Sequence, residues 1–373
     1  MSKAAELAAL IGSGQAQGNK NLIINGDMKI SQRGTNSGIT SGATNYGPDR
    51  FKMQLNDLGT WEMSQSTTVP SGQGFSNSLK LNCTTADTSV AAGSYLILQQ
   101  LIEGKNVQHL KWGTSSAKNL TWSFWIKSTK TGTFSVEFQH QNSSSTYYNR
   151  GSTFTVSSSN TWEKKTITVP ANPNQDIKDA AADGLYVTFW LTAGSNWTGG
   201  THKTDVWSTG AAANTRVSSS VPNHADSTDN EIYLTGVQLE VGDVATAFEH
   251  EDIETTLAKC QRYFETSYNL GTAPQTATTV GIRLLDYATA GANSGMGHVS
   301  FCVPKRATPT IATYDGAGTA NKVSTTPNNT TFTDGRAYSG APFGVSTTGF
   351  NHQGQGATGN LYNFIHFTAE IEL

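Results

Sequence analysis

Six aromatic side chains stand where strand alternation or loop position turns them away from an apolar core. Trp125 shares a parity with Thr121, Ser123 and Lys127, and Trp190 with Tyr186, Thr188 and Thr192, while Tyr147, Tyr148, Trp197 and Trp207 fall nearby. Flat rings stack on the axial C–H groups of a sugar, and Thr, Asn and Gln bond its hydroxyls. The six therefore define a candidate glycan platform. Two other arrangements fit the same residues: rings covering both faces of a large sandwich, or rings filling an interface between subunits, where Trp and Tyr are enriched.

Other chemistries are poorly provided for. The chain holds no H-E-x-x-H, G-x-S-x-G, Walker A or Rossmann glycine motif. Its densest acidic run, Glu249, Glu251, Asp252 and Glu254, sits at a strand-to-helix junction, where acids favour a helix N-terminus. That reads as structural rather than as the paired carboxylates of a glycosidase. None of the 8 His lies at metal-ligand spacing from another, and Cys83, Cys260 and Cys302 are widely separated. Such cysteines suit free thiols of a protein made in a reducing cytosol. Asn25 and Asp27 offer oxygen ligands to calcium, but two ligands do not define a site. The expectation is a protein without catalysis, cofactor or metal.

The elements that must position the rings are strands. Charged residues make up 14% of the 373, against roughly 25% in soluble proteins generally, and the chain is rich in Thr with 37 Gly. A net charge of −3, with no basic cluster, excludes nucleic acid as a natural partner, and no apolar run is long enough to insert in a membrane. From Asn21 to about His250 short strands recur. In the clearest, Leu120, Trp122, Phe124 and Ile126 alternate with polar residues, and Phe134–Phe138, Leu185–Leu191 and Glu231–Val241 follow. Parity changes at Gly236, which predicts a bulge. Residues 252–265 instead place Ile253, Leu257, Cys260 and Phe264 at helical spacing behind Asp252 as N-cap. Beyond it, strands are expected near Thr278–Tyr287, Gly297–Val303, Thr310–Tyr314 and Leu361–Leu373, with 315–360 as long loops. At the N-terminus, Leu7, Leu10 and Ile11 form one stripe of a short helix over 3–11. The fold class is all-β: two β-sandwich (jelly-roll) domains in tandem, with a short N-terminal helix and a connecting helix. The expected divisions are 1–18, an anchor and linker; 19–250, the first jelly roll; 251–265, the connecting helix; and 266–373, the second sandwich.

Three segments go further. Asn21–Arg33 (NLIINGDMKISQR) resembles a stretch that recurs in tail-fibre and other virion-surface proteins of tailed bacteriophages. Tyr46–Phe51 (YGPDRF) resembles their Y-x-x-D-R-[WF] element, and Gly236–Ala258, followed by KCQRYFE, resembles the piece that closes a galactose-binding-like jelly roll. The resemblance implies a non-enzymatic virion protein, fibre-like or receptor-binding, that binds a host-surface glycan. The alternative is a capsid decoration or head-fibre protein attached to the shell by its N-terminus. It also implies synthesis in the host cytoplasm, display on the virion surface and anchoring to other phage structural proteins through Leu7, Leu10 and Ile11. The implied self-association is a homotrimer with Ile253, Leu257, Cys260 and Phe264 at its contact.

Overall fold

The computed structural model describes residues 20–42, 45–209, 213–288, 296–328, 331–336, 342–353 and 361–373. The expected N-terminal helix, with Leu7, Leu10 and Ile11, lies outside them. Among the described residues the fold is all-β, and every strand pairing is antiparallel. In the first unit one sheet runs in the order β1 (Asn36–Ile39), β4 (Thr60–Ser66), β5 (Ser78–Thr85), β13 (Glu231–Val241), β7 (Leu120–Ser128) and β10 (Glu163–Val169). The facing sheet runs β12 (Ser208–Thr209), β9 (Tyr147–Val156), β8 (Gly132–Gln141), β11 (Asp183–Ala193), β6 (Tyr95–Glu103), β3 (Lys52–Asn56) and β2 (Asn45–Tyr46).

Alternation explains why these two sheets close on each other. Leu120, Trp122, Phe124 and Ile126 of β7 face Phe134, Val136 and Phe138 of β8 and Leu185, Val187 and Phe189 of β11, all of them buried in one core. The Trp122 ring lies 4.4 Å from that of Phe189, 5.3 Å from Phe138 and 5.0 Å from Phe124. The expected bulge is present. Pairing of β13 with β7 jumps between Thr235 and Gln238, and Gly236 adopts a φ of +60°, where a Cβ would stand 2.6 Å from the Phe75 ring.

The second unit is a smaller sandwich. Its spine is β21 (Leu361–Glu370), which pairs with β14 (Phe264–Thr266), β15 (Arg283–Ala288), β17 (Thr310–Tyr314) and β18 (Val323–Thr326), with β19 (Thr333–Arg336) beyond β18. A ribbon of β16 (Met296–Ser300) and β20 (Gly349–Gln353) covers it, sharing a core of Leu285, Val299, Val323, Phe350, Ile365, Phe367 and Ala369. Three expectations are corrected here. Residues 315–360 are not all loop: β18, β19 and β20 fall within them, and Val323–Thr326 is fully buried against β21. The last strand ends at Glu370, because Ile371 N turns to bond Tyr263 O at 2.8 Å. The short helix α1 spans Ser195–Thr198, and the connecting helix α2 spans Ile253–Gln261, so Phe264 belongs to β14 instead.

The units meet through a buried polar junction built from the segments that carry the phage resemblance. Gln32 Nε2 donates to Asp49 Oδ2 at 2.5 Å and to Phe264 O at 2.8 Å, bridging the units. Arg50 pairs with Glu372, donates to Leu101 O at 2.6 Å, and lies 3.4 Å over the Tyr263 ring. Arg33 lies 3.7 Å over Phe264 and reaches Glu372 at 3.2 Å. Arg262 grips Glu103 with two 2.8 Å bonds, and Tyr263 adds a third at 2.6 Å. Burial pushes the Glu103 carboxyl up, but Arg262 and Tyr263 outweigh it and hold the group below its usual range.

Buried histidines give the fold an acid-sensitive margin. Burial lowers His140 to about 4, and burial together with Lys130 lowers His224 to about 3. An unfolded chain takes up these protons near 6.5, whereas the folded chain refuses them until about 4 and about 3. Stability present above pH 6.5 is therefore lost as pH falls, by about 1.4 kcal/mol per pH unit for each fully engaged histidine. Denaturation midpoints measured between pH 7 and 5 should drop steeply in the native chain and less steeply in an H140Q/H224Q variant. Equal slopes would remove the assignment.

Candidate functional site

The alternation that buries Leu185, Val187 and Phe189 turns Tyr186, Thr188 and Trp190 onto the outer face of the seven-stranded sheet. Register then fixes their neighbours. Lys52, Gln99, Thr188 and Glu137 lie in one row across β3, β6, β11 and β8. Leu101, Tyr186, Gln139 and Asn149 form the next, and Tyr147 stands beside Gln141 at its border. Gln99 Nε2 donates to Thr188 Oγ1 at 3.1 Å, and Gln139 Nε2 to Asn149 Oδ1 at 3.3 Å. Asn149 in turn donates to Glu137 at 2.6 Å. Tyr147 is 37% exposed and meets Tyr186 edge to face, ring centres 6.0 Å apart. Both hydroxyls donate to Asp183, that of Tyr147 at 3.3 Å. Burial pushes the Asp183 carboxyl up, yet these hydroxyls hold it below its usual range, and the same bond and burial raise Tyr186 far above a free phenol.

The six rings expected to form one platform do not come together. Trp190 is 2% exposed, packed with Ile97 and Val217, and donates its Nε1 to Glu137 at 3.2 Å. Trp197 closes over it at 5.4 Å, and Arg216 lies 5.4 Å from one ring and 5.5 Å from the other while clamping Glu137 at 2.7 and 2.6 Å. Alternation marked this face correctly as outward, but it carries no sign that the chain following β11 folds back across it. Trp207 donates to Pro170 O at 2.9 Å and meets Trp112 and His140 edge-on, while Tyr148 stacks on His140 at 5.3 Å. These rings cap one end of the core. Trp125 is half-buried on the outer face of the opposite sheet, beside Phe75 and Gly236. Of the six, Trp190 and Tyr147 lie with the amide rows, and only Tyr147 is exposed there. Asp183, Gln139 and Asn149 went unselected, although the polar parity of Ser135, Glu137, Gln139 and Gln141 was a readable signal.

The proposed oligomer contact also divides. Cys260 is fully buried and Phe264 is 3% exposed beneath Arg33, so neither offers surface to another chain. Ile253 is 45% exposed, and Leu257 is half-buried. The acidic run ties strand to helix: Glu249 accepts Asn21 N at 2.8 Å, and Glu251 pairs with Lys259 and accepts Thr256 Oγ1 at 3.1 Å. These residues line an open polar hollow with Asn25 and Asp27. Asn25 is engaged by Ile30 and by Asp49 O, and Asp27 pairs with Lys29 at 2.8 Å. Among the described residues no three His, Cys, Asp or Glu side chains are grouped to hold a metal.

No family model and no curated protein matches the chain. Among solved structures it is similar to the enzymatically active domain of bacteriophage CBA120 tailspike protein 4, at 13% identity and a TM-score of 0.32, over 60% of this chain and 22% of that one. The C-terminal family 22 carbohydrate-binding module of Clostridium thermocellum Xyn10B gives 13% identity and a TM-score of 0.29, over 53% and 89%. The xylan-binding domain CBM22-1 of Paenibacillus barcinonensis Xyn10C gives 9% and 0.30, over 62% and 99%. Likeness of that degree assigns no role to any residue of this chain.

Proposed function

We propose that this chain is a non-enzymatic structural protein of a phage virion, displayed on the particle surface, that holds a host-surface glycan on the outer face of its seven-stranded sheet. The observation that carries the glycan reading is the tyrosine pair: an exposed ring, Tyr147, set against Tyr186 at the border of two rows of amides and hydroxyls. A sugar laid there would stack on the Tyr147 ring and exchange hydrogen bonds with Gln139, Gln141 and Asp183. The carboxylates on this face are engaged, Glu137 by Arg216 and Asn149, Asp183 by two phenols, which supports binding without hydrolysis. The virion part rests on the sequence resemblance of Asn21–Arg33, Tyr46–Phe51 and Gly236–Ala258, and with it go a homotrimer, synthesis in the host cytoplasm and attachment through the N-terminal segment.

Adsorption of the full chain to immobilised host-surface glycans tests the reading. Tyr147→Ala should weaken binding about tenfold, the loss of one aromatic contact, whereas Trp125→Ala, on the opposite sheet, should leave it unchanged. Failure of the native chain to adsorb to any such glycan would sink the proposal, as would equal binding by the Tyr147 variant.

A further inference from the structure

The second unit holds an ion pair sealed from solvent. Lys305 Nζ stands 2.6 Å from Glu265 Oε2, with the two side chains 0% and 2% exposed. Both partners are fixed. Glu265 lies on β14, opposite Ala369 of the spine, and Lys305 is held by its own N–H to Thr347 O at 2.7 Å. Backbone N–H of Cys302 points at the carboxylate, 3.0 Å from one oxygen and 3.1 Å from the other, and the Phe301 ring lies 4.7 Å from the ammonium. A second bond runs from Lys305 Nζ to Val303 O at 2.8 Å.

We infer that Lys305 and Glu265 are the two halves of an intramolecular isopeptide bond, an amide joining Lys305 Nζ to Glu265 Cδ and formed in the folded chain with loss of one water. A buried charge pair pays heavily in lost hydration, and the same two groups carried as neutral amine and acid, or as an amide, do not. Burial pushes the Lys305 amine below its usual range, which favours its neutral, nucleophilic form. The ammonium first passes a proton to the carboxylate. The freed Nζ lone pair attacks Cδ, and the carbonyl electrons move onto the oxygen facing Cys302 N–H, which stabilises the developing charge. Loss of a proton from nitrogen to the hydroxyl, and collapse of the carbonyl, expels water and leaves the amide. Nothing is oxidised or reduced, and no co-reactant is consumed. Fixed proximity in a dry site supplies the driving arrangement, since bound geometry replaces an encounter. The link would tie β14 to the segment leading into β17, the strands that flank β21 on its two sides.

The test is the intact mass of the full-length chain, denatured and reduced. The expected value is the sequence mass less one water, and cleavage after arginine should yield peptide 263–283 joined to 284–306. Lys305→Arg should restore the full mass, and Glu265→Gln should close the same link with loss of ammonia in place of water. Should either variant fail to fold, the native chain alone decides. A native mass equal to the sequence, or a deficit that maps to other peptides, overturns the inference.

Discussion

Arg50→Ala is expected to cost about 3–5 kcal/mol, the penalty for breaking a buried pair and leaving its partner uncompensated. Arg50 and Glu372 are 2% and 5% exposed. Without the guanidinium, the Glu372 carboxylate keeps only Arg33, and Leu101 O and the Tyr263 ring lose their donor and their cation. Arg50 has a φ of +73°, so alanine keeps the backbone strain and isolates the side chain. The readout is favourable because all 8 Trp lie in the first unit, between Trp61 and Trp207. Urea unfolding followed by tryptophan fluorescence reports that unit, and far-ultraviolet circular dichroism reports both. The native chain should show coincident midpoints, the variant earlier and separated ones. Midpoints that stay coincident and unshifted would show that the junction does not couple the units.

Trp122→Ala should be comparably severe, about 3–5 kcal/mol for emptying an aromatic site in a packed core. The indole bridges the two sheets through Phe124, Phe138 and Phe189. Its Nε1 is buried with no acceptor among the described residues. Trp122→Phe removes that unsatisfied donor while keeping most of the ring, so it should cost much less than alanine. Equal losses for the two substitutions in a denaturant titration would mean that ring volume does not govern this site.

Strands whose apolar residues alternate were legible in the sequence: β7, β8, β11 and β13, and even the Gly236 bulge. Strands buried by threonine were not. Val323–Thr326 is as dry as β7, but Ser and Thr there meet β21 rather than an apolar layer, so hydropathy sees a loop. Phe264 fitted the helical stripe by spacing alone. The helix stops short because β14 must pair with β21, a partner more than a hundred residues away. Among the site residues, Tyr147 was legible as an aromatic on a polar side, while the covering of Trp190 depends on a return of the chain that no periodicity encodes. The segments that resemble phage proteins proved to build the junction between units, with Asp49, Arg50, Gln32 and Arg33 as its polar centre.

The place of β21 in the order of synthesis has a consequence for how the second unit comes into being. Four strands hydrogen-bond to it, and it is translated after all of them, so each must wait on or near the ribosome with open edges. The first unit waits in the same way for β13, one of the two middle strands of its six-stranded sheet, which is also its last. Each half of the molecule is thus closed by a late keystone, and slowing translation upstream of either strand should prolong the interval in which a nascent chain offers its edges to a neighbour.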